Sequence, residues 1–477
     1  MTGNMTGGMT GLRIHWVCPL PPEPTDIAEY TRRLLPALAE VAEVVLWTDQ
    51  RDVDPEIARA VRLRRFDAAA HLPMDMRRLG PPRQGGNMGG GPFAEAVFIH
   101  LGNNARFHGS MLRLAARVSA CLVLHDLSLV DMLAGAAEAG HVTRRAVLAE
   151  SARFYGAAGR AAMSAILDGK APAEVTPGGL SREALYAAMP HWEAATGRAV
   201  SLLTHTGPAF KTVAARGFLP AYRLELPYPA SAARPGAGRA AEGPLRLVQF
   251  GHIFPNRRLL EGLEALAMVA PGRVPEGEAV NFELRVLGKV WDEALVRRKI
   301  AELGLEDRVR LMGFVEEARL DAALREAHLV LNLREPTVGE ASGSQLRLWN
   351  AAAASVVTDL GWYATLPGET VFRIPPSSEA TALPPLLRAI DRDRGLAATK
   401  GAAGRARLEA AHGTPRYAEG IAAIARAFEE DARTRLSADA LRRRLGPNQS
   451  GPNQSGTATP LEGLMANRAA ALLERRG

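Results

Sequence analysis

The sequence has few cysteines, few aromatic residues and little lysine, and it contains no long apolar segment. Its two cysteines, Cys18 and Cys121, lie in apolar runs, which indicates buried thiols in a reducing compartment rather than a disulfide framework. No apolar run approaches the roughly 20 residues that a membrane-spanning helix needs. Residues 1–11 repeat Met-Thr-Gly and have neither a basic segment nor an apolar core, so they predict a disordered leader and not a signal peptide. We therefore expect a cytoplasmic protein.

The positive charge comes almost entirely from arginine. The formal net charge is +7, yet lysine occupies only five positions of the 477. The arginines alternate with glutamates on predicted helix faces, and aromatic residues make up 5% of the chain, too few to form a stacking surface for single-stranded nucleic acid. The composition argues against nucleic acid as a partner. It leaves open a peripheral contact with an anionic membrane, at its inner face.

The spacing of several known catalytic and metal sites is also missing. The 11 histidines and two cysteines show no metal-ligand spacing, and no phosphate loop or Gly-x-Ser-x-Gly elbow occurs. Two Asp-x-Asp motifs, at 52–54 and 391–393, imitate a metal motif, but a polar loop and a helical region favour surface charge instead. We expect no metal and no cofactor.

Short apolar strands alternate with amphipathic helices along most of the chain, and one Pro-, Gly-, Ala- and Ser-rich stretch interrupts them. This α/β pattern predicts two doubly wound, Rossmann-like domains that face each other across a cleft. The predicted parts are a leader at 1–11, a domain at 12–228 with a helical insertion at about 129–198, a linker at 229–243, a second domain at 244–432, and a flexible tail at 433–477 that contains a tandem Gly-Pro-Asn-Gln-Ser repeat.

Residues 335–344 have the composition of an anion-binding turn. They follow a predicted buried strand at 328–332, carry the carboxylate of Glu340, and end in Ser342, Gly343 and Ser344, where a helix is predicted to begin. Unpaired N–H groups at a helix start favour phosphate, and small residues let a ligand approach the backbone. Since ligands of open α/β sheets bind beyond the carboxyl ends of strands, we expect the chemistry here.

A second candidate follows the first strand of the second half, where Gly251 and His252 precede Arg257 in a first helical turn. Arginine there can hold a phosphate with two parallel hydrogen bonds. In the alternative interpretation this arginine is only solvated. Its position on the same parallel sheet as residues 335–344 favours the phosphate site.

In this order the motifs resemble the donor domain of the family 4 (group 1) retaining glycosyltransferases, which have the GT-B fold. Residues 251–257 resemble the family's glycine and basic residues, and 286–288 resemble its strand-end glycine. Residues 310–315 resemble its base-facing loop, and 333–340 its glutamate-bearing turn. The first half is also similar, at 19–30, 100–104 and 124–126, so the resemblance spans about 12–430.

The resemblance implies a role for each matching residue. Glu340 would accept hydrogen bonds from the donor sugar, and His125 would lie near the reacting carbon; these two are the catalytic candidates. Arg257 and His252 would neutralise the donor diphosphate. Phe314 and Val315 would lie beside the base, and Gly343 and Ser344 would present backbone N–H groups to the phosphates. The other implied donor-binding residues are Gly251, Gly339 and Ser342.

One departure from the family pattern concerns the nucleotide. Leu348 stands where the family has a second glutamate that binds ribose, and Arg347 or Asn350 would have to replace it. We expect a metal-independent retaining hexosyltransferase that moves sugar from a nucleotide-sugar donor to a glycan or lipid-linked acceptor in cell-surface polysaccharide synthesis. The alternatives are a sugar-nucleotide epimerase or phosphorylase on the same fold, and a catalytically silent nucleotide-sugar-binding scaffold subunit.

Overall fold

The structure is a computed structural model that describes residues 11–67, 94–174, 179, 181–231 and 239–445. It divides into two compact units. The first contains the chain up to Pro227, the short segment Val338–Ala341 and the chain from Thr414 onward. The second contains Tyr228–Thr337 and Ser342–Gly413.

The first unit is built on a seven-stranded sheet in which every described pair of neighbours is parallel. The strands are β1 Leu12–Val17, β2 Glu43–Thr48, β3 Arg62–Arg65, β4 Ala94–Leu101, β5 Ala120–Leu124, β6 Ala199–Thr204 and β7 Ala221–Arg223. Their order across the sheet is β3-β2-β1-β4-β5-β6-β7. The order reverses between β1 and β4, which is where open α/β sheets bind ligands.

Helices cover both faces of this sheet. They are α1 Asp26–Val41, α2 Pro55–Ala60, α3 Ala105–Ala115, α4 Val130–Glu138, α5 Arg144–Leu167, α6 Arg182–Ala188 and α7 Gly207–Arg216, with 3-10 turns at Pro172–Glu174 and Trp192–Ala195. The predicted helical insertion is the run from α4 to α6 between β5 and β6. Side chains of Thr25, Thr143 and Ser181 cap the starts of α1, α5 and α6 by accepting from backbone N–H groups.

The second unit repeats the plan with a six-stranded parallel sheet. Its strands are β8 Leu245–Phe250, β9 Phe282–Leu287, β10 Val309–Gly313, β11 Leu329–Leu331, β12 Ser355–Thr358 and β13 Phe372–Ile374, in the order β10-β9-β8-β11-β12-β13. Its helices are α8 Leu259–Ala267, α9 Glu293–Glu302, α10 Glu317–Glu326, α11 Gly343–Asn350, α12 Glu379–Arg392 and α13 Gly395–Ala411, with 3-10 turns at Pro255–Arg257, Glu276–Glu278, Tyr363–Thr365 and Gly368–Thr370. Here the strand order reverses between β8 and β11.

Both cysteines are buried in the core of the first unit. Cys18 follows β1 and Cys121 lies in β5, and both thiols are free. Burial raises the pKa of each thiol to about 12, so neither is a thiolate at neutral pH. The prediction of buried, unpaired thiols is confirmed.

The predicted fold class, two doubly wound Rossmann-like domains with a helical insertion, is confirmed. Three edge strands, β3, β7 and β13, were not predicted. They are only three or four residues long, and β3 has the sequence Arg-Leu-Arg-Arg, which carries no apolar signal.

The last helix corrects two predicted boundaries. Helix α14 runs from Thr414 to Leu445, so the chain stays helical beyond the predicted tail start at 433. It also belongs to the first unit and not to the predicted second domain at 244–432. The reason is its buried face. The hydroxyl of Tyr30 donates to the hydroxyl of Tyr417 at 2.8 Å, and the hydroxyl of Tyr222 donates to Asp431 at 2.9 Å.

Residues 1–10 of the predicted leader, residues 232–238 of the predicted linker and residues 446–477 of the predicted tail, with the tandem repeat, lie outside the described residues. In the part of the chain that the structure describes, no helix combines the length and apolar character needed to cross a membrane.

Candidate functional site

Arg257 lies in the second unit where the strand order reverses. It ends the 3-10 turn Pro255–Arg257 that follows β8, and its side chain is almost fully buried. The Nη2 atom donates to Oδ1 of Asn332 at 3.1 Å and to the carbonyl oxygen of Phe250 at 3.4 Å. Asn332 directly follows β11, the neighbour of β8. Arg257, the residue predicted to bind phosphate, is therefore held in place by a side-chain oxygen and a backbone oxygen where the strand order reverses.

A chain of buried amides joins Arg257 to the start of α11. Asn332 Nδ2 donates to Oε1 of Gln345 at 2.9 Å, and Gln345 Nε2 donates to the hydroxyl of Ser355 at 2.9 Å. The backbone N–H of Gln345 donates to the hydroxyl of Ser342, which caps the helix. The prediction that a helix begins at Ser342, Gly343 and Ser344 is confirmed. The structure thus brings Arg257 and this helix start into one hydrogen-bonded group.

Three glycines shape the neighbouring edge of the second sheet. Gly251, Gly288 and Gly313 end β8, β9 and β10 or follow them directly, and all have positive φ (98°, 134° and 63°). A Cβ on Gly288 would lie 2.0 Å from the carbonyl oxygen of Gly251, so only glycine fits there. Beyond Gly313, Phe314 is 88% exposed.

The remaining predicted donor-binding residues of this edge stand apart from the buried group. Val315 is half-buried. His252 and Phe314 are exposed, in contrast to the buried side chain of Arg257. Their assignment to the donor stays a prediction.

Leu348 is a core residue and not part of an open site. It is fully buried and packs in an apolar cluster with Phe250, Leu287, Leu324 and Val330. The position that carries the ribose-binding glutamate in the resembled family therefore faces the core of the second unit.

The two residues considered as replacements for that glutamate already have partners. Arg347 donates to Asp321 at 3.0 Å and to Glu317 at 3.1 Å, and these carboxylates raise its pKa although burial lowers it. The Oδ1 of Asn350 accepts from the backbone N–H of Ser231 at 2.8 Å. Both side chains are thus hydrogen-bonded within the second unit.

In the first unit, three histidines lie at the carboxyl ends of adjacent strands. His100 is the penultimate residue of β4, His125 follows β5, and His205 follows β6. The Nδ1 of His100 and the Nε2 of His125 are 2.9 Å apart, and the ring centroids of His125 and His205 are 5.0 Å apart. The ring of Tyr30, from α1, meets His125 edge-on at 5.1 Å.

Burial keeps these imidazoles neutral. It lowers the pKa of His205 to about 4, and it holds the pKa values of His100 and His125 well below the usual 6.5, with further lowering by the neighbouring histidines. At neutral pH the predicted catalytic residue His125 is a hydrogen-bonding group and not a cation.

The second predicted catalytic residue, Glu340, belongs by its contacts to the first unit as well. The carbonyl oxygen of Val338 accepts from the backbone N–H groups of Leu127 at 3.0 Å and Ser128 at 2.9 Å. The Glu340 carboxylate accepts from the N–H of Val338 at 2.9 Å. Because Leu127 is two residues from His125 and Val338 two from Glu340, these bonds bring the two predicted catalytic segments together.

Gly339 permits this close approach. Its φ is +86°, and a Cβ there would lie 2.7 Å from the Cβ of Leu127. A side chain at this position would push the two segments apart. Gly339 therefore allows the turn to pack closely against Leu127.

Asn332, Gln345, His100 and His205 were not predicted as site residues. Asn332 and His205 each follow a buried strand directly, and that position is the signal that could have found them. The positions of Gln345 and His100 inside regular elements give no such signal. No three His, Cys, Asp or Glu side chains of the described residues are grouped so that they could hold a metal ion.

No protein-family model matches this chain, and no curated protein matches it in sequence. Several solved structures share its architecture. HepE from Anabaena, crystallised with UDP and glucose, aligns over 87% of this chain and 99% of its own with a TM-score of 0.53 and 13% identity. The chain has the GT-B fold.

Two further structures agree. Sucrose-phosphate synthase from Thermosynechococcus elongatus aligns over 87% of this chain and 98% of its own, with a TM-score of 0.51 and 16% identity. A glycosyltransferase from Rickettsia africae ESF-5 covers the same shares with a TM-score of 0.51 and 10% identity. At these identities the likeness concerns the fold, the two Rossmann-like domains, and not the activity.

Proposed function

We propose that the protein is a retaining glycosyltransferase that moves a hexose-type sugar from a nucleotide-sugar donor to a glycan or lipid-linked acceptor. The observation that carries the proposal is the pair of hydrogen bonds from Leu127 and Ser128 to Val338. They hold the segments of His125 and Glu340 together. A neutral histidine and a carboxylate in adjoining segments suit the recognition of sugar hydroxyls.

The second unit offers groups for the departing nucleotide. Arg257 and the N-terminal N–H groups of α11 are joined through Asn332 and Gln345, and both favour negative charge that develops on a diphosphate. HepE, which shares the fold, binds UDP-glucose in its crystals. This supports a nucleotide sugar as donor for the protein proposed here.

The proposed chemistry needs no protein nucleophile. The acceptor hydroxyl attacks the anomeric carbon on the face from which the nucleotide leaves, and its proton passes to the departing phosphate oxygen. Glu340 accepts hydrogen bonds from the donor sugar, and Arg257 balances the charge of the diphosphate. No metal or cofactor takes part in the proposal.

The proposed setting is the cytoplasm, with the acceptor presented at the inner face of a membrane during cell-surface polysaccharide synthesis. The excess of arginine, which gives the net charge of +7, supports a peripheral contact with anionic lipid.

Transfer with the variant Glu340→Gln tests the proposal. We expect kcat/KM to fall about 10- to 100-fold, the effect of losing hydrogen bonds to a charged acceptor worth about 1.5–3 kcal/mol. The assay follows the nucleotide released from UDP-, GDP- and ADP-sugars together with the glycosylated product. Glu369→Gln removes an exposed carboxylate and is the matched control. Equal activity in the two variants would refute the role of Glu340.

Arg257 calls for a milder change. Because its side chain is buried against Asn332 and Phe250, alanine would leave two oxygens without their donor and would also lower stability. Arg257→Lys keeps the charge and removes the forked geometry. We expect a higher KM for the donor. The free energy of unfolding should change by no more than about 1 kcal/mol.

The burial of Leu348 favours a second candidate, a catalytically silent subunit that recognises nucleotide sugars without the usual ribose contact. Calorimetry with UDP and GDP, followed by product analysis, separates the cases. Binding without turnover supports the silent subunit, whereas an isomerised sugar or a sugar phosphate supports an epimerase or a phosphorylase on the same fold.

A further inference from the structure

His100 and His125 share one proton across a short contact. The Nδ1 of His100 and the Nε2 of His125 are 2.9 Å apart, which is a hydrogen bond, so one nitrogen donates and the other accepts. Both rings are neutral at physiological pH because burial depresses their pKa values. Each ring therefore carries a single proton, and the direction of this bond fixes the tautomer of both rings.

The surroundings of His100 determine the direction. Its Nε2 is buried and has no hydrogen-bond partner among the described residues. If His125 were the donor, the proton of His100 would have to lie on that Nε2, as a buried N–H without an acceptor. Orphaned buried N–H groups are rare and cost about 1–3 kcal/mol. If His100 is the donor, its Nε2 is only an unused lone pair.

The neighbouring His205 shows that the cluster tolerates such a lone pair. Its Nδ1 lies 3.1 Å from the carbonyl oxygen of Leu224, and a carbonyl can only accept, so the proton of His205 is on Nδ1. The Nε2 of His205 is then a bare nitrogen, and it too is buried without a partner in the described structure. His100 with its proton on Nδ1 repeats this arrangement.

The second ring nitrogen of His125, Nδ1, is the one that does not contact His100. This Nδ1 makes no hydrogen bond to any described residue, and the side chain is partly exposed. With Nε2 occupied as an acceptor, the proton of His125 must be on this Nδ1. A proton there can be given to water or to a ligand, so this tautomer leaves no donor of His125 unsatisfied.

We propose that His100 is a positioning residue that holds His125 in the tautomer protonated on Nδ1, so that His125 donates a hydrogen bond to an oxygen of the substrate. The part that concerns the substrate rests on the proposed function; the tautomer itself does not. His125 recognises a hydroxyl or ring oxygen as a donor and cannot act as a general base through Nδ1.

Nitrogen-15 NMR of the full chain with labelled histidine tests the tautomer directly, since protonated and unprotonated ring nitrogens have well-separated shifts. His125 signals are assigned from the spectrum of His125→Gln at pH 7.5. The expected result is a protonated Nδ1 and an unprotonated Nε2 on His125. A proton on Nε2, or an averaged signal for the two nitrogens, would overturn the proposal, and neither reading depends on sugar transfer.

Variants of His100 test the positioning role. His100→Phe removes the donor and should allow both tautomers of His125, with kcat/KM reduced about threefold to tenfold, as for one neutral hydrogen bond. His100→Gln supplies an amide donor and should restore the wild-type tautomer and most of the activity. His108 is also buried, with its Nδ1 3.1 Å from the carbonyl oxygen of His100, and His108→Gln is the control.

An unchanged His125 spectrum in His100→Phe would refute the positioning role. If that variant does not fold, the wild-type spectrum and the His100→Gln spectrum decide, because both must show the Nδ1 proton. If the wild type transfers no sugar, the proposed function fails while the tautomer assignment is still decided by the spectrum.

Discussion

Leu348 occupies the position where the resembled family has a glutamate, and its surroundings show why a carboxylate does not fit. It lies in a buried apolar cluster, and its side chain has no exposed surface. A carboxylate in this cluster would lose its hydration without gaining a partner, which is a large cost.

The variant Leu348→Glu should therefore not restore a ribose contact. We expect it to lower the free energy of unfolding by at least about 3 kcal/mol, as an unpaired buried charge does. Urea denaturation measures the loss. Leu348→Met keeps the volume and should cost less than about 1.5 kcal/mol. A well-folded Leu348→Glu protein with tighter UDP binding would show that the side chain reaches a nucleotide site instead.

At the residue scale the sequence predicted local structure better than it predicted the environments of the side chains. The helix start at Ser342–Ser344 and the arginine at 257 follow from local patterns of glycine, serine and charge. The burial of Arg257 could not follow, because it depends on Asn332, 75 residues away, and on Gln345. The histidine cluster likewise needs three strands that are distant in sequence.

Helix α14 shows the same limit at the scale of a secondary-structure element. Its periodicity predicts a helix, but the sequence does not state which sheet the apolar face covers. In the structure the face lies in the core of the first unit. Its buried residues are Tyr417, Ala418, Ile421, Ala422, Ile424, Ala425, Phe428 and Ala432. Helix α14 therefore belongs to the core of the first unit.

Removal of α14 should unfold the first unit. Burying large apolar side chains contributes about 1.5–3 kcal/mol each, so losing this face removes an amount comparable to the whole stability of a domain, about 5–15 kcal/mol. A chain that ends at Gly413 should lose one cooperative thermal transition by circular dichroism. A chain that ends at Leu445 keeps the helix and should retain that transition. Two intact transitions in the shorter chain would contradict this role of α14.

Across the whole molecule, buried titratable groups of the first unit give stability a characteristic pH dependence. Burial lowers the pKa values of His108, His191 and His205 to about 4, against about 6.5 in an unfolded chain. Between these values the unfolded state binds more protons, so stability falls as the pH drops from about 6.5 to 4. Asp431 opposes this trend, because burial raises its pKa to about 7 and the native state keeps a proton that the unfolded state loses.

The variant Asp431→Asn should therefore make the chain more acid-sensitive. A proton that only the native state binds changes the free energy of unfolding by about 1.4 kcal/mol per pH unit. The variant removes this stabilising contribution of Asp431 between about pH 4 and 7. Asparagine still accepts from the hydroxyl of Tyr222. Urea midpoints at pH 7 and pH 5 measure the slope, and Glu419→Gln, which removes an exposed carboxylate from the same helix, is the control. An equal or shallower slope in Asp431→Asn would contradict the assignment.

The general architecture was the easiest feature to predict at this scale. Strands alternating with helices on both sides of a Pro- and Gly-rich stretch leave few alternatives to two parallel sheets, because crossover connections between parallel strands need helices. The assignment of the segments to units was harder. Val338–Ala341 and α14 join the first unit through contacts that span more than 200 residues of sequence.

The reactivity of the two buried cysteines reports unfolding of the first unit. Both lie in the first unit, and the second has none. A thiol reagent can react only with molecules in which the first unit has opened, since a buried thiol with a raised pKa is neither accessible nor nucleophilic. The rate of modification in native buffer thus measures the opening of one unit alone, without any engineered label.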